Sequence, residues 1–170
     1  GTLPGLTHRT QAALLWHGEA MEPAALELLR RNSGLGLTSD GSFTFRGRAV
    51  ENARVQGLFH RGLKLRKDGQ VILRVGVVWA YVACDGVTRF VDHVVQDGLG
   101  WRVRLRSGEE RWERLQLGAA PDGHLYAWGD DTSPPARLLR SAHQAVAGLL
   151  AGLDDGCEDV DGAPITVEEL

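Results

Sequence analysis

The sequence predicts an α+β fold with a mainly antiparallel sheet and about four helices. Short runs rich in valine, tryptophan and tyrosine alternate with Asp–Gly pairs, and amphipathic helical segments flank them. Glycine adopts positive φ without steric cost and aspartate hydrogen-bonds its own downstream backbone, so the pair favours tight hairpin turns. Seven of the twelve aspartates precede glycine: Asp40, Asp68, Asp85, Asp97, Asp122, Asp155 and Asp161.

The segment Asp40–Val95 organises the chain. Its runs Val71–Val75, Val77–Cys84 and Thr88–Val95 have the β-branched and aromatic composition of strands. The first two are too evenly apolar to show a two-residue period, which favours central strands joined near Gly76 and covered on both faces. The strand that precedes these runs alternates apolar and polar residues, which predicts that Phe43 and Phe45 both point inward. We therefore expect an up-and-down ribbon of strands with helices packed against it.

Four helices are expected. A weak pattern covers Thr7–Trp16, with Trp16 as a core aromatic. A second helix starts near Pro23 and ends before Gly34, a third runs from an Asn52 cap to Arg61, and a fourth starts at a Ser133 cap. In the third, the predicted buried stripe is Val55, Leu58 and Phe59; in the fourth, it is Leu138, Leu139, Ala142, Val146, Leu149 and Leu150.

The sequence pattern of Asp40 to Gly47 partly recurs later in the chain. Asp40-Gly-x-Phe-x-Phe-x-Gly47 matches Asp122-Gly-x-Leu-x-Ala-x-Gly129 at an offset of 82 residues, and a capped helix follows each. The sequence thus allows two related sheet-and-helix units, although so many Asp–Gly pairs also permit a coincidence. On this basis the chain divides into an N-terminal helical segment (1–36), a first unit (37–97), a second unit (98–153) and an acidic tail (154–170).

The composition limits the cellular compartments in which we expect this protein. Cys84 and Cys157 form no disulfide framework, and no apolar run reaches the roughly 20 residues that span a bilayer. We therefore expect a cytoplasmic protein without a membrane partner. Seven of the 22 acids fall from Asp154 onward, where there is no Lys or Arg, so the net charge of −3 hides a mildly basic body. The tail is expected to be loose or to add an edge strand at Ile165–Val167.

A family resemblance rests on the pattern of Asp40–Val95. It comprises Asp40-Gly41 before an aromatic strand, Gly47, Val55-x-x-Leu58-Phe59, Leu63, Asp68-Gly69, Val71–Val75 and Trp79. Over this third of the chain the sequence resembles DUF1285, a bacterial family of uncharacterised proteins. The resemblance implies a cytoplasmic α+β protein with repeated sheet-and-helix units. It implies no catalytic residue.

Motifs for catalysis, metals and cofactors are missing from the sequence. The six histidines lack zinc spacing, and there is no P-loop, nucleophile elbow or dinucleotide fingerprint. The run from Cys157 to Glu168 approaches the spacing of a calcium loop, but its first ligand position holds a cysteine, so an acidic tail is the better interpretation. We expect no catalytic residue, no metal site and no cofactor.

One strand carries the best binding signal. Trp101 to Arg106 alternates strictly, which places three arginines on one face with Trp112 nearby. Such a face could hold phosphates or a nucleic-acid backbone, or its arginines could pair across the hairpin with acids. The predicted ligand residues are Arg102, Arg104, Arg106 and Trp112; the pairing acids would be Glu109, Glu110 and Glu113.

The favoured function is a non-catalytic module that binds a small anionic ligand or a protein partner, with a regulatory or signalling role. One alternative is a protein that binds nucleic acid or a phosphate ligand through the arginine strand. A second is an enzyme whose site assembles from distant residues; a cleft that gathers His93 or His143 with carboxylates would favour it. Of these classes, the sequence leans away from an enzyme.

Overall fold

The computed structural model describes residues 22–152 and 157–170. It forms two compact units, Gly1–Thr88 and Arg89–Leu170, called unit 1 and unit 2 below. The boundary predicted between 97 and 98 lies instead in the turn of a hairpin of unit 2, because the strands on either side pair with each other. The helix predicted at Thr7–Trp16 lies outside the described residues.

The described residues of unit 1, 22–88, form two helices and two sheets. Its elements are α1 (Pro23–Arg31), β1 (Leu35–Leu37), β2 (Phe43–Phe45), β3 (Arg48–Ala49), α2 (Ala53–Gly62), β4 (Leu63–Leu65), β5 (Val71–Val75), β6 (Val78–Tyr81) and β7 (Ala83–Cys84). One sheet has the strand order β3-β2-β1-β7 and the other β4-β5-β6. The helices near Pro23 and Asn52 are therefore where the sequence predicted them.

The second helix packs differently from its predicted stripe. The Asn52 side chain caps α2 as expected, since Oδ1 accepts hydrogen bonds from the backbone of Arg54 and Val55 at 3.0 and 3.2 Å. Leu58 is exposed, whereas His60 is buried with Nε2 2.9 Å from the Gly41 carbonyl oxygen. Among the two phenylalanines of β2, Phe43 is fully buried but Phe45 is exposed, because β2 ends there.

The predicted ribbon is only partly correct. β5 and β6 pair antiparallel about Gly76, but β6 is an edge strand and Trp79 is half-buried. The apolar run then breaks at Val82, and β7 pairs in parallel with β1 in the other sheet. Apolar residues in this run are thus shared between two sheets of unit 1, so they do not form two strands covered on both faces.

In unit 2 the residues that the structure describes, 89–152 and 157–170, form one eight-stranded sheet and one helix. Its elements are β8 (Arg89–Asp97), β9 (Gly100–Leu105), β10 (Gly108–Trp112), β11 (Leu115–Ala119), β12 (Leu125–Trp128), β13 (Ala136–Leu138), α3 (Arg140–Ala151), β14 (Cys157–Val160) and β15 (Ala163–Glu169). The order is β10-β9-β8-β13-β12-β11-β15-β14. Trp101, Leu117 and Ile165 are buried in its core with Val146 of α3.

The fourth helix starts later than predicted. Ser133 is not its cap, because the Ser133 hydroxyl and backbone N–H both donate to Asp130 Oδ1, at 3.0 and 2.8 Å. The residues after it form β13, which fills the gap between β12 and β8, so Leu138 belongs to a strand. The helix begins at Arg140, with Ala142 and Val146 buried as expected.

Most of the Asp–Gly pairs form turns, as the sequence predicted. Five of the seven pairs connect consecutive antiparallel strands and have glycine at positive φ: Gly41, Gly69, Gly98, Gly123 and Gly162. Asp85–Gly86 joins β7 to β8 without that conformation, and Asp155 lies outside the described residues. Local turn chemistry thus sets the hairpins.

The fold class is confirmed at the level of α+β architecture, with two corrections. The described residues form three helices, so the estimate of four depends on the helix that is not described. Two of the three sheets in the described residues are mixed, because β1 pairs with β7, β11 with β15 and β13 with β8 in parallel, whereas β4-β5-β6 is antiparallel. Of the predicted tail, β14 and β15 belong to the sheet of unit 2, and β15 is internal rather than an edge.

Candidate functional site

The arginines of β9 lie on one face, as their alternation predicted. Arg102 and Arg104 are exposed, Arg106 is half-buried, and Trp101, Val103 and Leu105 between them are buried. The neighbouring strands add His93 and Val95 from β8 and Glu109 and Arg111 from β10 to this face, which we call the arginine face. The three consecutive antiparallel strands β8, β9 and β10 of unit 2 form the backbone of this face.

Pairing with acids leaves two of these arginines unneutralised. Arg106 Nε lies 3.5 Å from Asp92 Oδ1, and Arg111 Nη1 lies 2.9 Å from Asp97 Oδ2. Glu110, one of the acids expected to neutralise the stripe, instead binds Arg89 at 2.6 Å. Within the described part of the chain, neither Arg102 nor Arg104 has an ion-pair partner. The cross-hairpin pairing with Glu109, Glu110 and Glu113 is therefore not what the structure shows.

Register adds a like-charge contact. Arg102 of β9 is directly opposite Arg111 of β10, while Glu109 is opposite Arg104. Like charges opposite each other in an antiparallel pair destabilise a sheet, by roughly 0.2–1 kcal/mol. The Asp97 carboxylate relieves this repulsion only from the Arg111 side. The arginine face therefore concentrates positive charge at Arg102 and Arg104 at some expense in stability.

A shallow cleft of about 220 Å³ lies on this face. It is lined by His93, Val95, Arg102, Arg104 and Glu109. His93 and Glu109 stand on the two strands that flank β9, both in register with Arg104. Because adjacent strands are about 4.8 Å apart, the two side chains are separated by Arg104 and do not form a directly bonded acid–base pair. The geometry suits an anion held by guanidinium groups.

Trp112 does not join the arginines. It is buried on the opposite face, directly across the hairpin from Trp101. Its Nε1 donates to Glu110 Oε1 at 3.0 Å, and its ring packs on Gly129, where a Cβ would come within 2.7 Å of the indole. Trp112 therefore stabilises the core and cannot stack on a ligand of the arginine face.

The other histidines are dispersed. His60 is buried in unit 1, His143 lies on α3, and His124 contacts Arg137 with Nδ1 and Nε2 3.2 and 3.3 Å from Nη2. Among the described residues no three His, Cys, Asp or Glu side chains come together as metal ligands. No helix in that part of the chain is long and apolar enough to cross a membrane. His8 and His17, and the side chain of Cys157, lie outside what the structure describes.

Sequence reasoning missed an arginine–aromatic cluster in unit 1. The guanidinium carbon of Arg30 lies 3.9 Å from the centre of the Trp79 ring, and that of Arg31 lies 4.5 Å from the Tyr81 ring. The Tyr81 hydroxyl donates to Glu27 Oε1 at 3.1 Å. These contacts attach α1 to β6 by cation–π attraction and burial. The signal in the sequence is the Arg-Arg pair in the last turn of α1.

Comparison with known proteins supports the fold. No family model matches the chain, and no curated protein matches it. Two solved structures are similar to it. A DUF1285 family protein from Silicibacter pomeroyi has a TM-score of 0.58 at 15% identity, covering 94% of this chain and 93% of that one. A DUF1285 family protein from Shewanella baltica has a TM-score of 0.52 at 13% identity, covering 72% and 94%. The resemblance predicted from Asp40–Val95 is thus confirmed: the chain has a DUF1285-like fold.

Proposed function

We propose that this protein is a non-catalytic binding module, and that the arginine face of unit 2 binds a small anion such as a phosphate-bearing metabolite. The observation that carries the proposal is that Arg102 and Arg104, two residues apart on one strand, have no carboxylate partner in the described residues and open onto one cleft. Guanidinium groups bind phosphate and carboxylate through forked hydrogen bonds. We further propose that the module has a regulatory role and that the protein is cytoplasmic.

The size of the cleft favours a small ligand over a nucleic acid. Nucleic-acid surfaces combine a broad basic track with exposed aromatic rings on which bases stack. Here Asp92, Asp97 and Glu110 bind neighbouring arginines, and Trp112 is buried. Arg102 and Arg104 stay outside these ion pairs, and Glu109 opposite Arg104 offsets part of their charge, so the face suits one small anionic group.

The test is isothermal titration calorimetry of the full chain with inorganic phosphate, pyrophosphate and a single-stranded oligonucleotide at low salt. The double variant Arg102→Gln/Arg104→Gln removes both charges; Arg54→Gln, an exposed arginine at the start of α2 in unit 1, is the matched control. We expect pyrophosphate to bind the wild type and the control, and binding to weaken at least about tenfold in the double variant, or 1.4 kcal/mol.

Three outcomes contradict the proposal. Equal loss of binding in the Arg54→Gln control would mean a non-specific charge effect. Absence of any binding to the wild type at low salt would remove the anion site. Binding of the oligonucleotide far more tightly than pyrophosphate, with an affinity that falls steeply with salt, would favour the nucleic-acid alternative.

One observation favours an enzyme as the second candidate: the same cleft holds His93 and Glu109. A histidine beside bound phosphate can act as a general acid or base. The check is hydrolysis of a panel of phosphoesters by the wild type and by His93→Gln. Turnover lost in His93→Gln while anion binding persists would replace the binding module by an enzyme.

A further inference from the structure

Unit 1 contains an open cleft of about 460 Å³ on the face of its β3-β2-β1-β7 sheet that bears Gly36. The space exists because many residues that line it are glycines or have small side chains: Gly34, Gly36, Thr44, Gly47 and Ala83. Leu35 and Val82 also border the cleft, but both are buried and the Leu35 side chain points to the opposite face of the sheet from Gly36. A concave, largely apolar cleft of this volume with a few polar groups has the character of small-molecule sites.

The corresponding place in unit 2 is covered by a leucine. The strands β13-β12-β11-β15 repeat the order and directions of β3-β2-β1-β7, and Gly118 occupies the position of Gly36 in the same register. Three side-chain carbons of Leu170 lie 2.6–2.9 Å from where a Cβ of Gly118 would be. The Leu170 side chain, although 58% of the residue is exposed, thus lies directly on the backbone of Gly118.

Unit 1 has the glycine without the leucine. The three atoms nearest to a Cβ at Gly36 would be the Thr44 hydroxyl oxygen at 2.6 Å, the Ala83 carbonyl oxygen at 3.8 Å and Thr44 Cβ at 4.0 Å. The parallel strand that supplies Leu170 in unit 2 pairs over five residues, whereas β7 pairs over two. The same backbone shape that accepts a branched aliphatic group in unit 2 is therefore open to solvent in unit 1.

One arginine lies at the rim. Arg31 lines the cleft, with Nε 3.1 Å from Glu27 Oε1 and its side chain about half exposed, at 51%. Its guanidinium carbon also lies 4.5 Å from the centre of the Tyr81 ring, which lines the same cleft. Arg31 therefore places one positive charge beside the open space.

We infer that this cleft binds a small carboxylate with a branched aliphatic body. The body packs over Gly36 beside Thr44 and Ala83, as Leu170 packs over Gly118. The carboxylate points to Arg31 at the rim. This site is separate from the arginine face of unit 2, whose ligand needs no apolar body.

The test uses protein-observed NMR titration of the full chain with 4-methylpentanoate. Two matched probes separate the parts: 4-methylpentanamide keeps the body without the charge, and acetate keeps the charge without the body. Thr44→Leu fills the cleft from β2, and Thr166→Leu on β15 is the matched strand substitution in unit 2. We expect 4-methylpentanoate to bind at least about tenfold more tightly than either probe, and Thr44→Leu to weaken it at least about tenfold.

The binding should persist in Thr166→Leu and in the Arg102→Gln/Arg104→Gln variant, which separates this site from the arginine face. Arg31→Gln, which removes the positive charge at the rim, should bring the affinity for the carboxylate close to that for the amide. Equal affinity for the carboxylate and the amide overturns the inference, as does equal weakening by Thr44→Leu and Thr166→Leu. Failure of the wild type to bind 4-methylpentanoate at tens of millimolar overturns it as well.

Discussion

The two units use one four-stranded arrangement to different ends. In β3-β2-β1-β7 and β13-β12-β11-β15 three strands are antiparallel neighbours, the fourth is parallel to its neighbour, and a helix follows the first strand of each order. At the offset of 82 residues the registers coincide, since Leu37 opposite Phe43 corresponds to Ala119 opposite Leu125. A duplicated origin stays a prediction, but the topology is common to both units.

The difference lies at the edges. In unit 2, β8 extends the arrangement beyond β13 and β14 extends it beyond β15, so that eight strands share one core. In unit 1, β3 and β7 are themselves edges of a four-stranded sheet. Sheet extension buries the common element in unit 2, whereas its absence leaves an open cleft in unit 1. The comparison teaches that one backbone arrangement becomes either core or binding surface according to what its edges pair with.

Corresponding leucines give the largest contrast. Leu117 and Leu35 match at the offset and are 1% and 5% exposed, but only Leu117 belongs to the large cluster of unit 2. Truncation of a buried leucine costs about 2–5 kcal/mol, most where the surroundings cannot collapse. We expect Leu117→Ala to lie near the top of that range and Leu35→Ala near the bottom, measured by urea denaturation. A larger cost for Leu35→Ala would contradict the assignment of the stronger core to unit 2.

The matched glycines Gly47 and Gly129 should respond for different reasons. Gly47 has a φ of +79° and open space around it, whereas Gly129 lies against the Trp112 ring. Gly129→Ala should cost about 1–3 kcal/mol through overpacking, and Gly47→Ala about 1 kcal/mol through backbone strain. Asparagine distinguishes the causes, since it adopts positive φ: Gly47→Asn should be milder than Gly47→Ala, and Gly129→Asn worse than Gly129→Ala. Thermal melts of the four variants check this.

In unit 1, the Gln56 side chain hydrogen-bonds the backbone where β3 stops pairing with β2. Its Oε1 accepts from the Phe43 backbone N–H at 3.1 Å, and its Nε2 donates to the carbonyl oxygens of Phe43 and Val50. Gln56→Leu strands a part-buried backbone donor and should cost about 1–2 kcal/mol in the free energy of unfolding. Gln56→Glu keeps the acceptor but loses the donor, so a cost equal to that of leucine would show that the acceptor contributes nothing.

Acid stability should differ slightly between the two matched turns. The Thr38 hydroxyl, which donates to Asp40 Oδ1, is the main cause that holds the pKa of Asp40 below its ordinary value, with help from the Ser42 backbone. Because the folded pKa is depressed, this stability is present above the unfolded value of about 3.9 and is lost as pH falls through the folded one. Unit 2 has Ala120 in the place of Thr38. Thr38→Ala should therefore make the loss of stability below about pH 4 shallower, in melts from pH 6 to 2. An unchanged pH profile would contradict this role.

Local features of the fold could be predicted from the sequence. The Asp–Gly turns and the Asn52 cap depend on residues within a few positions of each other, and both were found where predicted. Alternation also placed Arg102 and Arg104 correctly, because a strand's period fixes their face. The error at Ser133 was local competition: the Ser-Pro-Pro run resembles a helix start, but Asp130 takes both Ser133 donors.

Pairing between distant strands could not be predicted. Nothing near Ala83 or Ile165 indicates a parallel partner far away, and the cleft of unit 1 exists only through such a partner. The placement of Trp112 could have been predicted. The hairpin turn at Arg106–Ser107 pairs Gly108 with Leu105 and hence Trp112 with Trp101, on the face away from the arginines. The missed step was to carry the register across the hairpin.

The parallel joins also set the order in which this chain can assemble. Residues Gly36 and Ala83, Arg89 and Ala136, and Leu115 and Ile165 are paired across 47, 47 and 50 positions of sequence. Hairpins form in microseconds, but long loops must close before such pairs gain anything, so the joins come late. A nascent chain that has not yet produced Ala163–Glu169 leaves one side of β11 without its strand, and an unpaired apolar strand edge invites self-association. Synthesis rate and chaperone access should therefore govern the yield of this protein.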